Sequence, residues 1–346
     1  MEIKVLSPDF EKSYGEFLLS FEEALLYYSL KYKRFLEKLL GCESSYQLAV
    51  DGDEILGVLP LMKMEGKYGV VINSLPYYGS NGGVLTRSRE AIELLVAEYN
   101  LISGRSDVAS ATVITHPLLQ IDYSRLNRDM TDKRIGQFTS LDLADSPGDH
   151  LAESFESSGR RNIRKAIKSG VKVKIDNTQI DFLMTTHQEN IRSIGGKPKE
   201  KIFFDLLDSS FEAGKDYNIY IGSKDGQPAA ALLLFYYHKT VEYYTPAVVH
   251  AYRSFQPLPL IIYEAMMDAA QSGHKRWNWG GTWLTQESLY RFKRKWGAED
   301  KEYFYYSIIN DERIYSATED DILSSHPYFF VIPFHAKDRE KLQSTE

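Results

Sequence analysis

The chain has 346 residues, 43% of them hydrophobic and 26% charged, with a formal net charge of −7. At about 100–200 residues per domain this length predicts two domains, and the balance of residues builds packed cores and excludes disorder. The negative charge argues against a protein that coats nucleic acid with its whole surface, yet leaves room for a local basic patch. A single cysteine, Cys42, allows neither an intramolecular disulfide nor a cysteine-cluster zinc site. The opening MEIKVLSPDF has no apolar run and does not read as a signal peptide. The longest apolar stretches, 229–237 and 328–334, fall short of the roughly 20 residues of a membrane helix. The expectation is a cytoplasmic protein with peripheral membrane contact at most. Tyrosine occurs 24 times and phenylalanine 17 times, which suits either half-buried strands or a wide polar groove.

In chain order, Asp9–Leu40 reads as helical. Two β-type runs follow, Tyr46–Val50 and Ile55–Met64, joined by Asp51-Gly52-Asp53-Glu54, a hairpin signal. Tyr68–Asn73 is a third strand. After a loop, Arg87–Ile102 carries Ile92, Leu95, Val96 and Tyr99 at helical spacing, and Ala111–Thr115 is another strand. The turn-rich Asp145-Ser146-Pro147-Gly148 marks a boundary. Beyond it, Thr178–Ile194 and Lys199–Ala213 read as helices. Tyr217–Ile221 and Ala229–Tyr237 form a hairpin around Lys224-Asp225-Gly226-Gln227. Thr240–Ala247 is a strand, Leu258–Gln271 an amphipathic helix and Arg276–Trp279 a strand. The order of hairpin, strand, loop, helix and strand thus occurs twice, about 170 residues apart, which predicts a duplicated mixed sheet flanked by helices. The expected division is a domain over 1–146, a second over 147–310, and a tail over 311–346 that holds a helical piece at Glu319–Ser324 and closes the sheet.

Standard catalytic signatures are missing. No HExxH, GxSxG, GxxxxGK[ST] or GxGxxG occurs, and the eight histidines are scattered, so no metal is expected. Gly79-Ser80-Asn81-Gly82-Gly83 is glycine-rich but fits none of these patterns and reads as a loop lip. The element order resembles the GNAT acyltransferase architecture, in which R/Q-x-x-G-x-G/A opens a helix and its N–H groups hold the pyrophosphate of acyl-CoA. Here that place reads Arg253-Ser254-Phe255-Gln256-Pro257-Leu258-Pro259, with Gln256 and Leu258 at the glycine positions and two prolines that lack N–H donors. A second near-match, Arg192–Lys197, precedes the hairpin and is out of context. Such a loop predicts a donor other than acyl-CoA.

Two basic segments stand out. Gly159–Lys172 holds Arg160, Arg161, Arg164, Lys165, Lys168 and Lys172 without one acid. On a helix Arg161, Arg164, Lys165 and Lys168 share one side while Ile163 and Ile167 anchor another, a face suited to phosphate or an RNA acceptor stem, or simply to solvent. In Trp277–Gly297, Gly280-Gly281 permit close backbone approach to a ligand. A helix then presents Tyr290, Arg291, Phe292, Lys293, Arg294 and Lys295. Lysine there can stabilise an oxyanion or act as a base, and position alone does not choose among Lys293, Arg294 and Lys295.

These residues resemble the FemABX family of tandem-GNAT aminoacyltransferases and the related FemAB-like proteins of polysaccharide gene clusters. The matching stretches are RRNIRKAIKSGVKV at Arg160–Val173, YRSFQPLPLIIYEAMMDAA at Tyr252–Ala270 and GGT…LYRFKRKWG at Gly280–Gly297. The N-terminal half matches only through LYYSLKYKRFLEKLLG and GVLPLMKM, and no long helical arm is inserted in the second half. The resemblance implies two tandem GNAT-like domains of mixed α/β type and attack of an amine on the ester carbonyl of aminoacyl-tRNA to form an amide. Phe292 and Lys293 match its Phe-Lys pair, whose lysine is thought to stabilise the tetrahedral intermediate. Arg253 with Tyr252, Gly280, Gly281, Tyr244 and Lys31 or Lys33 would bind substrate, and Arg160, Arg161, Arg164, Lys165 and Lys168 the donor.

The function expected is therefore amide formation on an amino group of a cell-wall precursor or surface-polysaccharide sugar. Aminoacyl-tRNA would be the co-substrate, a nucleotide- or lipid-linked sugar precursor the partner, and no cofactor is needed. The alternatives are an acyl-CoA-dependent N-acyltransferase acting on an amino sugar, and a silent module that binds a glycan or nucleotide-linked precursor.

Overall fold

The computed structural model describes residues 1–77, 81–141, 147–283 and 286–334. The chain forms two compact units, residues 1–134 with 302–346, and residues 135–301. The first unit begins with β1 (Glu2–Val5), α1 (Glu11–Leu19), α2 (Leu30–Leu40), β2 (Glu43–Ser44), β3 (Gln47–Asp51), β4 (Glu54–Leu59), β5 (Met62–Gly66), β6 (Gly69–Asn73), β7 (Leu85–Thr86), α3 (Arg89–Ser103) and β8 (Val108–Ile114). Strand β9 (Met130–Ser140) carries the chain into the second unit, which continues with α4 (Pro147–Ser154), α5 (Ser157–Lys168), β10 (Lys172–Ile175), α6 (Ile180–Arg192), α7 (Lys201–Asp205) and α8 (Leu207–Ser210). Then come β11 (Tyr217–Lys224), β12 (Gln227–Tyr237), β13 (Thr240–Val248), α9 (Pro257–Gln271), β14 (Arg276–Thr282) and α10 (Glu287–Arg294). Strand β15 (Glu299–Ile309) returns to the first unit, which ends with α11 (Arg313–Ser316) and α12 (Glu319–Ser325).

The duplicated order is present. In the first unit β6 and β8 pair in parallel on either side of α3, and in the second β13 and β14 pair in parallel on either side of α9. Both are right places for a helix crossover, because parallel neighbours cannot be joined by a tight turn. Ser88 caps α3 by accepting from Ala91 N at 3.2 Å, and α3 buries Leu95, Val96 and Tyr99 against Ile72, Val108 and Val113. In the second unit α9 buries Leu260, Ile261, Ala265, Met266 and Ala269 against Leu232, Leu234 and Val241 of the sheet. No helix among the described residues exceeds 15 residues or is long and apolar enough to cross a membrane.

Three readings of the sequence change. The helix expected over Asp9–Leu40 is interrupted: α1 stops at Leu19, and Ser29 starts α2 by accepting from Tyr32 N at 3.2 Å. Between them Phe21, Leu25, Leu26, Tyr27 and Tyr28 are buried, so this stretch packs as core instead of lying along a helix face. The strand expected over Ile55–Met64 divides at Pro60, which has no N–H for a ladder: β4 pairs with β3 and β7, while β5 pairs with β2 and β6. The helix expected over Lys199–Ala213 is two short turns, α7 and α8. Strands β9 and β15 have no counterpart among the expected elements. The tail does pack on strands: Asn73 donates to Phe330 O at 2.8 Å and Ser110 Oγ to Val331 O at 2.6 Å. Asp145 and Ser146 of the expected boundary, and Gly79 and Ser80 of the glycine-rich loop, lie outside the described residues.

What positions the site is a parting of strands in the second unit. Its sheet runs β10-β11-β12-β13-β14-β9, yet β13 and β14 pair only over Thr240–Glu242 and Arg276–Asn278. Beyond these residues the two strands separate. The register slips twice nearby, at Tyr244 of β13, the extra residue opposite Leu233 and Leu234 of β12, and between Asn278 and Gly281 on β14. Bulges of this kind bend a strand away from its neighbour and re-aim the side chains that follow.

Candidate active site

The β14 bulge builds the centre. Successive carbonyls of a regular strand point to opposite edges. Here Gly280 turns to φ +73°, and both Gly280 O and Gly281 O face one atom, the Nζ of Lys293, at 3.1 and 3.0 Å. Thr282 Oγ1 accepts the third proton at 2.8 Å and itself donates to Gln137 Oε1 of β9 at 2.9 Å. All three donors of the ammonium are therefore satisfied, as a buried cation requires. Asn278 fixes the bend, accepting from Gly280 N at 2.8 Å and donating to Glu242 Oε2 at 2.7 Å. Lys293 is only 3% exposed, and this burial pulls its ammonium from the ordinary 10.5 down to about 7. The amine can thus hold or release a proton near neutrality.

The helix that delivers Lys293 is clamped by tryptophans. Trp279 stacks on Trp296 with ring centres 6.2 Å apart, and Phe292 meets both edge-on. Thr139 of β9 ties the pair together, accepting from Trp279 Nε1 and donating to Trp296 O, both at 2.9 Å. Two glycines let α4 and α5 close on the end of α10. A Cβ at Gly159 would sit 3.2 Å from Lys295 O, and one at Gly297, where φ is +69°, would sit 2.9 Å from Ser154 Oγ.

Beside this centre lies a cavity of about 330 Å³ lined by Gly159, Asn162, Arg253, Pro257, Phe292 and Lys295, among others. Phe292 and Lys293 therefore divide their tasks: the ring lines the cavity, and the amine turns inward to the bulge. The exposed guanidinium of Arg253 has no ion-pair partner among the described residues, and neither has Lys295. At the mouth of the cavity α9 starts from Gln256, which has φ +61°, with Pro257 and Pro259 in the first turn. Of the first three helical positions only Leu258 offers an N–H, so the nest that usually cradles a pyrophosphate is missing two donors.

The other expected residues separate into groups. Arg161, Arg164, Lys165 and Lys168 form an exposed ridge on α5 with no ion pair among the described residues. Arg160 does not join it. Its guanidinium turns back to the carbonyls of Glu153 at 3.1 Å and Phe155 at 2.5 Å, where it caps α4. Ile163 is buried as expected, but Ile167 is 57% exposed and lies among the cations instead of anchoring the helix. Tyr244 stacks on Phe203 at 5.7 Å and meets Phe235 at 4.9 Å on one face of β13, while Tyr243 packs on Trp279 on the other. Tyr252 packs on Phe255 in the turn before α9 and is not part of the cavity wall. Gly280 and Gly281 lie within β14 and serve Lys293. Nothing in the chain lies within 4 Å of a Cβ at Gly280, so within the protein its requirement is conformational. Lys31 and Lys33 lie on α2 of the first unit, where Lys33 pairs with Glu37 at 2.9 Å and Lys31 is exposed. Sequence reasoning missed Gln137, Thr139, Asn278 and Thr282. Among the described residues no three His, Cys, Asp or Glu side chains converge as a metal site would need.

A strand pair that parts over a bulge, with a helix N-terminus facing the gap, defines a GNAT-fold protein. Residues 155–294 match the acetyltransferase (GNAT) domain family. The chain is similar to the solved structure of FemX over 91% of its length and 99% of that chain, at 16% identity and a TM-score of 0.71. It is similar to the C-terminal domain of a putative lysylphosphatidylglycerol synthetase from Agrobacterium fabrum over 94% and 98%, at 10% identity and a TM-score of 0.56. A tandem GNAT protein from the clavulanic acid biosynthesis pathway matches over 89% and 98%, at 11% identity and a TM-score of 0.52. No curated protein matches the sequence. At these identities the likeness is one of fold, and the fold is the FemX-like, two-unit form of GNAT.

Proposed function

We propose that the second unit is an acyltransferase of the FemAB type that forms an amide, taking its acyl group from the ester of an aminoacyl-tRNA. The observation that carries this is Lys293, a buried amine held by two carbonyls and a hydroxyl next to a cavity with two uncommitted cations. The acceptor amine would attack the ester carbonyl carbon, forming a C–N bond as the C–O bond to the ribose breaks. The ammonium of Lys293, its three N–H bonds held by Gly280 O, Gly281 O and Thr282 Oγ1, would oppose through its field alone the negative charge that develops on the carbonyl oxygen, an effect strengthened by the low dielectric around it. The amine's proton leaves with the ribose hydroxyl. Arg253 and Lys295 would hold a donor phosphate, and the α5 ridge would follow the RNA backbone. Two prolines at the start of α9 favour this donor over acyl-CoA. The acceptor proposed is an amino group of a cell-wall precursor or surface-polysaccharide sugar, and the proposed site of the reaction is the cytoplasm.

The test is release of radiolabel from alanyl-tRNA onto a nucleotide-linked amino sugar, compared between the native chain and Lys293→Met. Amide product from the native chain alone supports the reading. Equal product from both, or product only with acetyl-CoA as donor, would overturn it.

A further inference from the structure

The second unit holds another cavity, of about 480 Å³, at the C-terminal end of α9 beside β10, β11 and β12. A 15-residue helix is roughly 22 Å long, so this cavity lies a full helix length away from Pro257 and the Arg253 cavity. Its size suits a small ligand. Its floor is a one-way chain of hydrogen bonds. Asn177 Nδ2 donates to Asn218 Oδ1 at 3.1 Å, and the Asn218 amide bonds the Tyr236 hydroxyl. Tyr236 donates to Tyr220 at 3.4 Å, and Tyr220 donates to Asp268 Oδ2 at 3.0 Å.

Every hydroxyl proton of the two tyrosines is used, so they and Asp268 turn lone pairs toward the cavity, while Asn218, Gln271 and Ser272 add donors to its wall. Asp268, at the end of the chain, is exposed and lines the cavity. His274 adds a further acceptor. Its ring meets Tyr236 at 5.3 Å, and when its Nδ1–H donates to Ala269 O at 3.2 Å, Nε2 is left to accept. Lys215, the cation on the rim, is engaged by Glu212 at 3.0 Å. Glu264, one turn before Asp268 on α9, is not part of the wall and has Lys172 nearby, so the negative charge of the cavity is that of Asp268. A site that offers acceptors, negative charge and an aromatic wall selects a ligand that donates hydrogen bonds, carries a positive charge and has an apolar face.

We propose that this cavity binds a pyranose through its hydroxyls, and an amino sugar best, with its ammonium on Asp268. This site does not depend on the acyl-transfer reading, since it shares no residue with the Lys293 centre. The experiment is saturation-transfer NMR and calorimetry of the full chain with glucosamine, glucose and glucuronate. Glucosamine should bind more tightly than glucose by up to about five-fold, the gain expected of one exposed ion pair. Glucuronate should not bind. Asp268→Asn should reduce glucosamine to the level of glucose, with circular dichroism as the check on folding. If that variant does not fold, Tyr236→Phe, which cuts the chain at its middle, should weaken both sugars. No saturation transfer from any sugar, glucuronate binding as well as glucosamine, or glucosamine affinity unchanged in the folded variants would overturn the proposal.

Discussion

Gly280 O and Lys293 Nζ stand 3.1 Å apart across 13 residues of chain, and each depends on the other. The carbonyl reaches the amine only because Gly280 adopts φ +73°, and the buried ammonium is tolerable only because carbonyls reach it. Replacing Gly280 by alanine leaves room for the methyl group but forces an L-residue into the left-handed region, at a cost of about 1–3 kcal/mol. Chemical denaturation should show that loss together with a loss of transfer activity. A variant as stable as the native chain would mean the bulge is not strained toward glycine.

Lys293 also makes stability depend on pH. Its amine is protonated up to about 7 in the folded chain and up to its ordinary 10.5 when unfolded. Between those values the unfolded state binds more protons, so this group raises stability as pH rises from about 7 toward 10.5. Below that window the buried charge is a full burden on the fold. The stability difference between the native chain and Lys293→Met should therefore shift in favour of the native chain across that range. Urea unfolding of both proteins at several pH values reads it directly, and parallel curves would show that the amine is not depressed.

Thr282 and Gln137 set the direction of the third hydrogen bond. Thr282→Val keeps the shape, removes the acceptor for Lys293 and leaves the Gln137 carbonyl oxygen unmet, which costs about 1–3 kcal/mol. The more specific effect is on the lysine, whose pKa should fall further without that acceptor. A pH–rate profile that moves to lower pH in Thr282→Val identifies the hydroxyl as a positioning group. An unmoved profile with lower stability would leave it a structural one.

The cations of α5 should not behave alike. Neutralising Arg161, Arg164, Lys165 or Lys168 should weaken RNA binding and reduce the slope of log affinity against log salt by about 1 for each phosphate that is no longer neutralised. Arg160→Ala should leave that slope alone and instead lower stability by about 1 kcal/mol, because its partners are backbone carbonyls at the end of α4. Gel-shift titrations at three salt concentrations, with thermal melts alongside, separate the two behaviours.

Much of this site is local and therefore legible in the sequence. Gly280-Gly281 after a tryptophan-rich strand and the helix from Tyr290 to Lys295 announce a loop and a cationic turn, and the prolines at 257 and 259 speak against a pyrophosphate nest. The choice of Lys293 over its neighbours rests on family likeness, and the structure supplies a physical distinction: of the three cations from 293 to 295 it alone is buried. Gln137 and Thr139 are invisible in the sequence because β9, MTDKRIGQFTS, mixes charge with few apolar residues and has no clear alternation. Tyr243 and Tyr244 show a different limit. Neighbours on a strand face opposite ways, and composition does not say which one meets the aromatic cluster around Phe203. Arg160 looks like its fellow cations because only the fold reveals a helix end behind it.

The measurement that bears most directly on the account is a pair of calorimetric titrations at low salt, one with acetyl-CoA and one with alanyl-tRNA. The structure, with two prolines in the first turn of α9 and a cationic ridge on α5 that has no ion pair among the described residues, predicts heat from the tRNA that fades as salt is added and none from acetyl-CoA. Micromolar binding of acetyl-CoA with no response to alanyl-tRNA would contradict it and assign the Arg253 cavity to acyl-CoA.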